Sequence, residues 1–170
     1  MIVSIMGFMA SGKSSIGRIV ADMMNYNFID LDLYIEGQEG HSISQIFSDK
    51  GEEYFRDLEN KYLKEIVDHH ENIILPLGGG APCFERNWTL LSKTTSVYLY
   101  KSNDELFERL ISRKEKRPLV AALSDIELKD LIDTKMGQRS SFYERADHKV
   151  HAVNSKKITA KEIVAILNQD

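Results

Sequence analysis

The run Gly7-Phe8-Met9-Ala10-Ser11-Gly12-Lys13-Ser14 constrains this chain more than any other segment. It follows the β-rich Ile2–Met6 and precedes a stretch in which Ile16, Ile19, Val20 and Met23 recur at helical spacing. The order is therefore strand, G-x-x-x-x-G-K-S, helix. In such a turn, backbone N–H groups curl around phosphate oxygens, glycines permit the dihedrals and the close approach, and the helix N-terminus adds its dipole. Lys13 is expected to reach the β- and γ-phosphates of a nucleotide, and the Ser14 hydroxyl to ligate nucleotide-bound Mg²⁺. Gly7, Ala10, Ser11, Gly12, Lys13, Ser14 and Ser15 form the expected nucleotide contacts. No Asn-Lys-x-Asp run for reading guanine occurs, which favours ATP over GTP.

Around this motif the chain alternates short β-rich runs with longer helical ones, the pattern of an α/β domain whose parallel sheet is covered on both faces. Strands are expected at Ile2–Met6, Asn27–Asp30, Asn72–Pro76, Ser96–Tyr100 and His148–Val153. Helices are expected at Ser14–Met24, Gly51–His70, Asn103–Arg113, Ile126–Arg145 and Thr159–Leu167. With 170 residues and no linker or repeat, one domain spanning 1–170 is expected. Twenty-six acidic against twenty-two basic residues give a net charge of −4, which supplies no electrostatic case for nucleic acid. No apolar run approaches a membrane span, no targeting segment is read, and the single Cys83 forms no internal disulfide. A cytoplasmic protein is expected. Cys83 lacks a neighbouring His and acid, and reads as a structural thiol.

A nucleotide-binding turn leaves the phosphoryl acceptor open, and five further features bear on it. Asp30 and Asp32 sit where the second strand ends; one carboxylate is placed to serve Mg²⁺ and the other the accepting hydroxyl, or the pair caps a short helix. Arg56, in Phe55-Arg56-Asp57-Leu58-Glu59, can clamp a carboxylate with Glu59 one turn on to orient it, or can form a surface ion pair. Gly78-Gly79-Gly80 follows the third strand, where bare backbone can meet a ligand or form a plain loop. Arg113-Lys114-Glu115-Lys116-Arg117 packs four positive charges and one negative into five residues, as a lid over phosphates or as a solvated charge run. Arg139 lies in a long, mostly polar helix and can meet Arg56 across the crevice.

In this order and at these spacings, the motifs resemble those of the shikimate kinase family, from Gly7 to Asn154. The resemblance implies a three-layer P-loop kinase fold with a five-stranded parallel sheet in order 2-3-1-4-5. It also implies a substrate-binding helical region at about 31–62 and a mobile lid at about 112–124. The implied reaction moves the γ-phosphoryl group of ATP to the 3-hydroxyl of shikimate, giving shikimate 3-phosphate and ADP in aromatic amino-acid biosynthesis. Carried over residue by residue, Lys13, Asp32 and Arg117 are catalytic, Asp32 positioning the hydroxyl and Arg117 contacting the transferring phosphate. Ser14 and Asp30 stand on the Mg²⁺ side. Asp32, Arg56, Gly78, Gly79, Gly80 and Arg139 contact shikimate, with Arg56 and Arg139 on its carboxylate. Arg109, with Arg113 as the alternative, stacks on adenine, and Arg117 and Asn154 complete the nucleotide site. A monomer is expected. The chain departs from the common family pattern at Ala10, where many members carry glycine, and at Ser141, where many carry proline. The rivals are another small-molecule kinase of the same fold, such as one acting on gluconate or a nucleotide, and a nucleotide-binding regulatory module without catalysis.

Overall fold

The computed structural model describes residues 1–112 and 118–169, with backbone alone at 118 and 119. Chain order runs β1 (Ile2–Met6), α1 (Lys13–Met24), β2 (Asn27–Phe28), α2 (Leu31–Glu39), α3 (Ile43–His69) and β3 (Ile73–Pro76). A 3-10 turn at Ala81–Cys83 leads to α4 (Glu85–Leu91) and β4 (Thr95–Tyr100). Then come α5 (Asn103–Ile111), α6 (Pro118–Ala121), α7 (Asp125–Tyr143), β5 (His148–His151) and α8 (Lys156–Leu167).

The five strands are parallel in the order β2-β3-β1-β4-β5, as the resemblance implied. Side chains alternate across each strand, so both faces of the sheet need cover. Val3, Ile5, Ile74, Val97, Leu99 and Val150 pack against Ile16 and Val20 of α1 and Ile163 and Leu167 of α8. Met6, Ile73, Leu75 and Tyr98 point the other way, into a larger core with α2, α3, α5 and α7. Each Ile or Leu taken fully out of water contributes about 1.5–3 kcal/mol, so these two layers supply the main drive for folding.

Capping decides several helix starts that periodicity alone placed loosely. Ser42 with Gln45, Ser102 with Glu105 and Ser124 with Glu127 form reciprocal capping boxes at α3, α5 and α7. Ser155 caps α8, which begins at Lys156 instead of the expected Thr159. The expected second strand shortens to Asn27–Phe28 because Asp30 is drawn into capping α2, its Oδ1 accepting from the Asp32 and Leu33 amides. The expected strand start at Asn72 moves to Ile73, Asn72 being left-handed at φ 53°. The last strand stops at His151. Helix α3 begins eight residues before the expected Gly51, which is instead a kink at φ 83°, ψ 174° inside it.

Because β2, β3 and β1 are neighbours, their carboxyl ends bring the residues after Phe28, Pro76 and Met6 to one edge of the sheet. That edge, at the point where strand order reverses about β1, is where an open parallel sheet forms its ligand crevice.

Candidate active site

Helix α1 starts without a side-chain cap and without an acid in its first turn, so its orphan N–H groups stay available to an anion. The turn before it is tightly held. Gly7 has φ 145°, and a Cβ there would stand 2.6 Å from the Leu99 carbonyl oxygen of β4, so only glycine fits. Gly12, at φ 106°, begins the helix. Ala10 adopts φ 65°, a left-handed conformation that costs an alanine about 1–2 kcal/mol. Lys13 Nζ donates to the Gly7 and Phe8 carbonyls at 2.8 and 3.0 Å, tying the lysine head to the mouth of the turn. Ser11 Oγ is buried there with no hydrogen-bond partner, a polar atom left over in a cradle shaped for oxygen-rich ligands.

A cavity of about 310 Å³ opens over this turn, lined by Ala10, Gly12, Lys13, Ser14, Ser15 and Arg109 on one side and Asp30, Asp32 and Gly79 on the other. Arg109, projecting from α5, donates to the Ser11 carbonyl at 3.2 Å. Met9 and Leu77 also line the cavity and were not singled out in the sequence, where nothing marks them beyond their flanking the two glycine-rich turns. Ser14 Oγ donates to Asp30 Oδ2 at 2.5 Å, while the other Asp30 oxygen caps α2. The cap reading of Asp30 therefore holds through one oxygen, while the other oxygen stays on the phosphate turn with Ser14. This pair of hard oxygen donors beside the phosphate turn suits Mg²⁺. Among the described residues no group of three or more His, Cys, Asp or Glu side chains could hold a metal by itself, so such an ion would draw its remaining ligands from nucleotide phosphates and water.

The glycine triplet organises the acceptor side. A Cβ on Gly78 would fall 2.6 Å from Asp32 Oδ1 and 3.2 Å from Glu59 Oε1. One on Gly79 would lie 3.5 Å from Arg139 Nη1, and one on Gly80 would lie 2.6 Å from Arg56 Nη2. Three successive residues thus give bare backbone to Asp32, Arg139 and Arg56 in turn. The carbonyls of the triplet are engaged within the protein: Gly78 accepts from the Ala81 amide, Gly79 from the Tyr143 hydroxyl at 2.5 Å, and Gly80 from the Cys83 amide. Arg139, four residues before Tyr143 on α7, lies over the Phe8 ring at 5.9 Å.

Arg56 is more than a surface ion pair. Its side chain is 11% exposed, between the rings of Phe55 and Phe84, with Nη1 donating to both oxygens of a fully buried Glu59 at 3.1 and 3.0 Å. Burial pushes the Glu59 carboxyl up to about 7 despite that partner, and burial with Asp30 nearby pushes Asp32 up to about 6. Cys83 is half-buried and burial raises its thiol, in keeping with a structural role.

One expected site position falls elsewhere. Asn154 is exposed in the turn after β5, at the far edge of the sheet, and does not line the cavity. Arg117, the alternative Arg113 and the rest of the basic run lie outside the described residues. Sequence reasoning missed Glu52, one turn before Arg56 on α3, whose Oε1 accepts from Arg56 Nη2 at 3.1 Å; the i, i+4 spacing was the available signal.

Known proteins share this architecture. The sequence model of the shikimate kinase family matches residues 9–168. A shikimate kinase from Flavobacterium johnsoniae is 40% identical over 97% of this chain and 98% of its own, and one from Parabacteroides distasonis is 37% identical over 98% and 95%. Among solved structures, shikimate kinase from Bacteroides thetaiotaomicron superposes with a TM-score of 0.90 at 32% identity, over 99% of this chain and 97% of that one. Shikimate kinase from Acinetobacter baumannii, in complex with shikimate, gives 0.89 at 26% identity, over 99% and 93%. A gluconokinase from Sinorhizobium meliloti, at 0.62 and 19% identity, shares the fold alone. Matched along nearly its whole length by the family's sequence pattern and by relatives of its own size, the chain belongs to the shikimate kinase family.

Proposed function

We propose that this chain transfers the γ-phosphoryl group of ATP to the 3-hydroxyl of shikimate. The observation that carries the reading is the glycine triplet, which sets a carboxylate and two guanidinium groups around one stretch of backbone beside the phosphate turn. A compact acceptor that bears both a carboxylate and a hydroxyl matches that set. Arg56 and Arg139 hold the carboxylate, since a guanidinium presents paired N–H donors to it. Asp32 then accepts from the hydroxyl, and its raised carboxyl, near 6, is ionised at neutral pH yet basic enough to share the departing proton.

On the nucleotide side, Lys13 and the N-terminal amides of α1 take the phosphates, and Arg109 flanks the base. Ser14 and Asp30 would hold Mg²⁺, which supplies charge neutralisation on the phosphate oxygens when bound. Phosphoryl transfer asks for little covalent chemistry, so alignment and charge account for most of the work these side chains do. Arg117, outside the described residues, is the expected further cation on the transferring group.

A coupled ADP-release assay with Mg-ATP tests the reading, with shikimate, quinate, gluconate and nucleoside monophosphates as acceptors. Strong stimulation by shikimate alone is expected. Stimulation by a different acceptor would keep the kinase and discard the substrate, and slow hydrolysis indifferent to every acceptor would favour a regulatory nucleotide-binding module.

A further inference from the structure

Arg56 carries one positive charge and already serves two carboxylates of its own helix. Glu59 is fully buried and holds Nη1 with both oxygens, so it has nowhere else to go. Glu52 is different. Its side chain is 64% exposed, and its Oε1 sits on the Nε–Nη2 edge of the guanidinium at 3.4 and 3.1 Å. That edge offers two parallel N–H donors, the pattern a carboxylate grips best. The Phe55 and Phe84 rings flank the guanidinium and Gly80 lies against its Nη1–Nη2 end, so the edge under Glu52 is the one that opens to solvent. The cavity outside it, about 680 Å³, is bordered by Glu52, Glu53, Asp57 and Glu85 and by Arg56, Phe84 and Arg86, and Asp57 is occupied with Arg86 at 2.6 Å.

Resting on the proposed acceptor, we propose that Glu52 is a built-in competitor for the substrate carboxylate: it occupies the donor edge of Arg56 that the acceptor must claim, and binding displaces it into solvent. Glu52 thereby sets how strong an anion must be to enter, favouring acceptors whose carboxylate can also engage Arg139 over singly held anions. The exchange swaps one carboxylate for another on the same guanidinium, so it leaves the local charge balanced; Glu59 and Asp32 face the acceptor side from α3 and α2 with Arg139 from α7, and Glu53, the Asp57–Arg86 pair and Glu85 border the solvent side.

The test measures shikimate affinity by calorimetry, and the KM for shikimate at saturating ATP, in Glu52→Gln and in Glu53→Gln. The second variant removes the same charge one residue away, where no bond to Arg56 is formed. The exposed pair contributes modestly, so Glu52→Gln should tighten shikimate binding about two- to five-fold while Glu53→Gln does so less. An acceptor analogue with the carboxylate reduced to an alcohol should gain nothing from Glu52→Gln. Weaker binding in Glu52→Gln would make Glu52 a brace for Arg56, and equal gains in both variants would reduce the effect to bulk charge; either overturns the proposal. A wild-type protein that turns over ATP with another acceptor but not with shikimate would instead remove the substrate reading on which the proposal rests.

Discussion

Replacing Gly80 with alanine separates the steric role of the triplet from backbone preference. Gly80 has φ −92° and ψ −21°, a conformation alanine adopts readily, so the backbone raises no objection to the change. The added Cβ, however, would stand 2.6 Å from Arg56 Nη2, 2.8 Å from Nη1 and 2.9 Å from Cζ. Restoring ordinary contact requires the guanidinium to retreat by about 0.8 Å, taking about 3.4 Å as the closest comfortable approach. The retreat is confined by the Phe55 and Phe84 rings and pulls Nη1 away from Glu59. Losing one well-placed hydrogen bond to a charged group costs about 1.5–3 kcal/mol, which is about a 10- to 100-fold rise in the KM for shikimate. The KM for ATP should stay within about twofold, since Arg56 lies on the acceptor side of the cleft. Steady-state kinetics with each substrate varied in turn measures this, with thermal melts alongside. Gly79→Ala, whose Cβ would meet nothing closer than 3.5 Å, serves as the control for stability. A shikimate KM within twofold of wild type in a folded Gly80→Ala would refute the assignment of Arg56 to the acceptor carboxylate.

Stability should fall with rising pH because of Glu59. Its carboxyl, raised from 4.5 to about 7, binds more protons folded than unfolded between those values, so stability is highest at the acid end of that window, declines through it and levels off above about 7. Asp32, raised from 3.8 to about 6, adds to the slope at its lower end, whereas Glu105, lowered to about 2, gives stability that is lost only below the ordinary glutamate range. Chemical denaturation across pH 5–7.5 should show a loss of up to about 3 kcal/mol, which Glu59→Gln cuts to the smaller part that Asp32 supplies below about pH 6; an unchanged slope in that variant would show Glu59 is not its main source. Ala10→Gly should stabilise the chain by about 0.5–1 kcal/mol, the relief at φ 65° less the added entropy of glycine in the unfolded chain, which a rise in Tm of a few degrees would report. A lower Tm would mean that the left-handed turn carries no strain for alanine.

What could be read from the sequence was governed by distance along the chain. The phosphate turn was legible because strand, glycines, lysine and helix are contiguous, and their meaning depends on nothing remote. The sheet order followed from the family resemblance, and with it the meeting of Asp30, Gly78 and Gly7 at one edge. Periodicity did not delimit helix α2, whose only buried residues are Leu31 and Ile35, too few for a stripe; the cap reading of Asp30 and the helical region that the resemblance implied were what pointed to it. The first turns of α3 escaped because Gly51 looked like a beginning when it is a bend within one element.

The charged residues show a different limit. Sequence reasoning set catalytic against structural readings of Asp30 and of Arg56 as if one must exclude the other. A carboxylate has two oxygens and a guanidinium five N–H groups, so a single side chain can discharge both roles: Asp30 caps α2 with one oxygen and holds Ser14 with the other. Arg56 goes further, since its five donors are divided between a buried partner that cannot leave and an exposed one that can. The same residue is fixed in place by Glu59 and poised for exchange at Glu52. Spacing of i, i+3 and i, i+4 identifies both acids as neighbours, but only burial distinguishes the anchor from the occupant, and Glu59 is enclosed beside Gly78 and Asp32, residues that lie nineteen or more positions away in the chain.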